Sequence, residues 1–152
     1  MTQVSLRSLL AVLAVAGVGF ASLTHPTREW NFIVVSLACT VLTLYTLHWV
    51  SSPTAARSFS LGFAVVGWIY FLLLWNSVEY SLASTWLLEK LYPLLNPGPD
   101  TNLTHYGIFF VGPNGFPGLT PFSNYLHIGH AICMLALSYA GGLMTSWFAK
   151  PT

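Results

Sequence analysis

The stretch YLHIGHAICMLALSYAGGLMTSW, Tyr125–Trp147, decides the fold. It contains no Asp, Glu, Lys or Arg, and a helix of about 20 apolar residues matches the hydrocarbon thickness of a bilayer. Three further spans of the same kind precede it: Ser8–Leu23, Trp30–Val50 and Ser58–Trp75. The fold class expected is therefore all-α. Residues 1–152 form one membrane domain, an integral membrane four-helix bundle whose third and fourth spans are joined by an extramembrane loop and helix cap.

Composition supports that class. Only 6% of the 152 residues are charged, whereas a water-soluble domain has about a quarter, enough to cover its surface. In hydrocarbon a scarcity of charge is required, because an unpaired buried ion is expensive. A net charge of +1 gives no reason to expect nucleic acid as a partner. Cys39 and Cys133 both fall inside spans and form no CxxC pair, so they read as small apolar packing residues. Arg7, the following apolar run and Gly19-Phe20-Ala21 carry the three parts of a secretory signal. A retained first helix is nevertheless expected.

The positive charges give an orientation. Arg7, Arg57 and Lys150 occupy one side of four alternating spans, and Arg28 and Lys90 the other, each beside a glutamate, Glu29 or Glu89. Lys and Arg gather in cytoplasmic loops, so both termini are expected in the cytoplasm. Trp30, Trp75 and Tyr125 outside, and Trp49 and Trp147 inside, would be the interfacial aromatic anchors.

The loops are unequal. Thr24–Glu29 and Ser51–Arg57 are short and carry Pro26 and Pro53, which makes consecutive spans antiparallel neighbours. The third connection, Asn76–Asn124, forms the outer cap. Within it Leu82, Trp86, Leu87, Leu91 and Leu94 have spacing that suits a helix, either extending span three or lying on the membrane surface. Pro97-Gly98-Pro99-Asp100 is a turn, and Ile108–Val111 followed by Gly112-Pro113-Asn114-Gly115 outlines a short hairpin. Asn102-Leu103-Thr104 fits a glycosylation sequon.

Helices in lipid meet through small residues. Gly129, Cys133, Ala136 and Ala140 form such a stripe on span four, and Ala14, Gly17 and Ala21 on span one. Ser36, Thr40 and Thr43 share a face of span two; they would hydrogen-bond within the bundle or line a polar path.

His48 and His130 lie at opposite ends of their spans, about 20 Å apart in depth at helical rise, which rules out one haem shared between them. The outer side holds His25, His105, His127, His130 and Glu79. His127 and His130, three residues apart, share a helix face and could ligate one metal, with Glu79, His25 or His105 as third ligand. The competing expectation is that Glu79 pairs with His130 or a tyrosine and fastens spans three and four. HExxH, GxSxG, Walker and dinucleotide motifs are absent.

Three stretches together carry a resemblance: Ser5–Leu10 leading to Gly19–Leu23, Arg57-Ser58-Phe59 with Leu61–Ala64 and Gly67-Trp68, and Ile128-Gly129-His130 with Gly141-Gly142. They resemble small four-span membrane proteins of planctomycete-type bacteria. The resemblance implies a bacterial inner membrane and carries no activity or site residues. The expected function is that of a non-enzymatic membrane subunit or assembly element, without cofactor. Its partners would be the lipid bilayer and either further copies of itself or other subunits of a membrane complex. The alternatives are a metal- or haem-binding redox component using His127 and His130, and a small channel or carrier.

Overall fold

Thr27 starts the second helix. Its hydroxyl accepts the Trp30 amide at 3.3 Å and its carbonyl accepts the Asn31 amide at 3.0 Å, an N-cap placed directly after Pro26. A computed structural model describes residues 6–51, 57–75, 82–97 and 121–149. All regular structure among these is helical: α1 (Leu6–Thr24), α2 (Arg28–Ser51), α3 (Arg57–Trp75), α4 (Ala83–Leu95) and α5 (Pro121–Phe148). Glu79, His105, the Asn102 sequon and the hairpin expected over 108–115 lie outside the described residues.

Three helices, α2, α3 and α5, are long and apolar enough to cross a membrane. The part of α1 whose side chains are described, Leu13–Thr24, is apolar but shorter. Helix α5 begins one turn before the expected span because Pro121 occupies its first position, where a missing N–H costs nothing. The cap helix appears as α4, almost as its spacing indicated.

The most extensive interface joins α3 to α5, and α2 packs against both. The α3–α5 approach is made by glycine. A Cβ on Gly62 would land on the Gly141 carbonyl and the Thr145 side chain, and one on Gly142 would meet the Phe59 ring at 2.7 Å. Thr145 Oγ1 donates to the Ser58 carbonyl at 2.7 Å, a bond available only because the backbones run so close. Toward the other end, Val34, Ala38, Tyr70, Ile128, Ala131 and Met134 form the shared core.

The small-residue stripes are placed differently from expectation. On α5, Gly129 is buried beneath Leu88 of α4 and Cys133 is half-buried, but Ala136 and Ala140 are exposed. The small residues seen to meet α3 are instead Ser138, Gly141, Gly142 and Thr145. On α1, Ala14, Gly17 and Ala21 are all exposed. Helix α1 rests on α5 through Gly19 and Ile132, and its one fully buried side chain among those described is Ser22. Tyr125, expected as an interfacial anchor, is wholly buried because α4 covers the first turns of α5, stacking Tyr92 edge-on against it at 5.0 Å.

At the far end, Tyr45 stacks on Phe63 with centroids 4.2 Å apart, and the Arg57 guanidinium lies over the Trp49 ring at 5.6 Å. That cation–π contact closes the hairpin between α2 and α3. On α2 the Thr40 and Thr43 hydroxyls donate to the Ser36 and Cys39 carbonyls of their own helix, at 2.8 and 2.9 Å, from an exposed face.

Close approach gives a paired prediction. Gly62→Ala should destabilise the protein by about 1–3 kcal/mol, the usual cost of overpacking, and lower its melting temperature in detergent. Gly17→Ala, whose Cβ would meet nothing within 4 Å, should not lower the melting temperature, since alanine is the better helix former.

Candidate functional site

Helix α4 runs antiparallel to α5 over that helix's first turns. Its start reaches Tyr70 and His130, Leu88 covers Gly129, Tyr92 touches Tyr125 and Phe122, and the Asn96 amide donates to the Leu23 carbonyl at 3.1 Å. The start of α4 is thus set among core residues of α3 and α5, five residues inside the end of α3. This placement brings polar side chains from four helices together in otherwise apolar surroundings.

His130 is the centre of one cluster, 2% exposed. Its Nδ1 lies 2.9 Å from the Tyr70 hydroxyl and its Nε2 lies 3.2 Å from the Thr85 hydroxyl. The Tyr70 hydroxyl is also 2.9 Å from Ser84 Oγ. Either neutral tautomer fits. With the proton on Nδ1, the ring donates to Tyr70, Tyr70 donates to Ser84, and Nε2 accepts from Thr85. With the proton on Nε2, the ring donates to Thr85 and Tyr70 donates to Nδ1. In both arrangements the ring's single lone pair is used within the cluster.

Asn31 centres the second cluster. Its side-chain amide donates to Asn124 Oδ1 at 3.0 Å and contacts His127 Nδ1 at 3.3 Å. With both amide hydrogens donated, His127 accepts at Nδ1 and carries its own proton on Nε2. Asn31 and Asn124 are buried and His127 is half-buried.

The two histidines read from the sequence as a pair do share one region, but they are held separately, His127 by α2 and His130 by α3 and α4. Tyr70 and Thr85 are the groups found on His130; Glu79, the other partner considered, lies outside the described residues. For a metal, His127 and His130 would each have to give up a hydrogen bond. The described residues hold no group of three or more His, Cys, Asp or Glu placed to grip a metal ion. His48 is exposed near the opposite end of α2.

Both clusters border a cleft of about 580 Å³ between α2, α3 and α5. Arg28, Asn31, His127 and His130 supply its polar side, and Phe32, Val35, Phe71, Leu74 and Met134 much of the apolar side. Cys39, a free thiol, also lines it. Tyr125 Oη is buried and has no hydrogen-bond partner among the described residues.

Sequence reasoning did not single out Asn31, Tyr70, Ser84, Thr85 or Asn124. The available signal was an amide within the first turns of two apolar helices, Asn31 in α2 and Asn124 in α5, since a carboxamide in such a place needs a partner.

Comparison with protein-family models, with curated proteins and with solved structures finds no match to this chain.

Tyr70→Phe should loosen α4, because it strips His130 Nδ1 and Ser84 of their shared partner. An unsatisfied buried group costs about 1–3 kcal/mol. Hydrogen exchange should speed up over Ala83–Leu95 and stay unchanged over the Gly62–Gly141 contact.

Proposed function

We propose that this chain is a four-span bundle in a bacterial inner membrane, with both termini cytoplasmic, acting without catalysis as a subunit or assembly element of a membrane complex. Four features support the membrane placement: three helices of sufficient length and apolarity, outward-facing apolar side chains along them, a shortage of charge, and the distribution of Lys and Arg. The resemblance to small proteins of planctomycete-type bacteria supplies the inner membrane.

The role as a subunit rests on one observation, the outer face of α4. Thr85 and Leu88 face inward and are buried, while Trp86, Leu87, Leu91 and Leu94 are 63, 48, 36 and 74% exposed. Clusters of exposed apolar side chains on one helix face mark protein or membrane contact surfaces. Helix α4 is held firmly on its polar side, through Tyr70, His130 and Leu23, so it can present that face as a fixed platform. The exposed Ala14, Gly17 and Ala21 on α1 supply a second surface at which another helix could approach closely.

Two measurements test the proposal. The chain should remain in the membrane pellet after alkaline carbonate washing; release into the supernatant would overturn the membrane placement. Cross-linking in native membranes and mass determination in mild detergent should show a species heavier than one chain. Leu87→Glu with Leu94→Glu should reduce that species by at least about tenfold, the effect of roughly 1.4 kcal/mol, with membrane retention unchanged. A strict monomer in membranes and in every mild detergent would refute the subunit role.

A further inference from the structure

The cleft has the polarity of a lipid. Its α2 wall begins at Arg28 and Asn31, at the end of the helix, and continues through Phe32, Val35 and Cys39 over roughly 16 Å of helical rise. Across it, α5 descends from His127 to Met134. Hydrogen-bond donors therefore lie at the end of the helices and apolar side chains toward their middle. A volume of about 580 Å³ falls within the range of small-molecule sites, about 300–1,000 Å³.

The donors are of one kind. Arg28 is exposed and cationic. His127 is a donor at Nε2 once Nδ1 has accepted from Asn31. No carboxylate lines the cleft among the described residues; Glu29 follows Arg28 in the chain but is not part of the wall. Such a mouth is complementary to an anion, and the floor to a hydrocarbon chain.

We propose that the cleft between α2, α3 and α5 binds a phospholipid with an anionic headgroup, the headgroup phosphate against Arg28 and His127 and one acyl chain along Val35, Phe71 and Met134. This rests on the membrane placement above, whose own failure would appear as release by carbonate and not as a change in lipid preference. Held there, the lipid would fill the space that α2 leaves against α3 and α5. It would also touch the wall carrying His130, which ties the lipid site to the seating of α4.

Native mass spectrometry of the full chain in mild detergent tests this. Titration with phosphatidylglycerol, phosphatidylcholine and palmitate should give bound phosphatidylglycerol roughly fivefold above phosphatidylcholine, the preference that one cation beside an anionic headgroup confers. Arg28→Gln, at an exposed position, should abolish the preference while leaving phosphatidylcholine adducts in place. Ser36→Trp, from the exposed side of the cleft wall, should reduce adducts of both phospholipids. Equal retention of the two phospholipids by the unaltered protein would overturn the proposal. So would unchanged phosphatidylglycerol binding in Ser36→Trp, or displacement of the phospholipid by palmitate.

Discussion

Where Gly62 passes Gly141, the backbone of α3 lies against the backbone of α5, flanked by the side chains of Thr145 and Val66. The rest of the core is arranged around that approach. It sets Phe59 on Gly142, allows Thr145 to reach the Ser58 carbonyl, and leaves Ser138 beside Gly67. It also aligns Tyr70 of α3 with His130 of α5, nearer the opposite end of the pair. Apolar side chains alone could not achieve this register, since interchangeable Leu and Val surfaces fit one another in many ways. Glycine and a donated hydroxyl give one answer.

The polar cluster depends on that register and in turn positions α4. A short helix with no side-chain cap at its start and Pro93 in its last turn has little intrinsic reason to hold a fixed place. Tyr70, His130 and Asn96 hold it. Buried polar groups are weak contributors to net stability but demanding about geometry, and here they decide where a largely apolar helix sits and which of its faces turns outward.

The helices themselves were readable because uninterrupted apolar length acts locally, whereas the starts set by Thr27 and Pro121 came only from the structure. The inward faces were not. On helices that are apolar all round, polarity does not mark the buried side, and small residues at regular spacing occur on both. Ala136 and Ala140 looked as suitable as Gly141 and Gly142, and only the packing of α3 separates them. The histidine pair was visible at its spacing, whereas its partners, Tyr70 on α3, Thr85 on α4 and Asn31 on α2, come from distant parts of the chain with no shared motif. Leu88, buried between Trp86 and Leu91 on a helix whose Leu87, Leu91 and Leu94 face outward, shows the same limit.

The α3–α5 contact also sets an order in time. Between Trp75 and Pro121 lie roughly 45 residues, a few seconds of synthesis at about 5–20 residues per second. During that interval α3 exists with Gly62 uncovered and Tyr70 without its histidine. Helix α5 leaves the ribosome after α2, α3 and α4, all of which pack against it. Closure of this core therefore waits for α5, and a nascent chain halted before it would present an open seam at Gly62 instead of a smaller finished core.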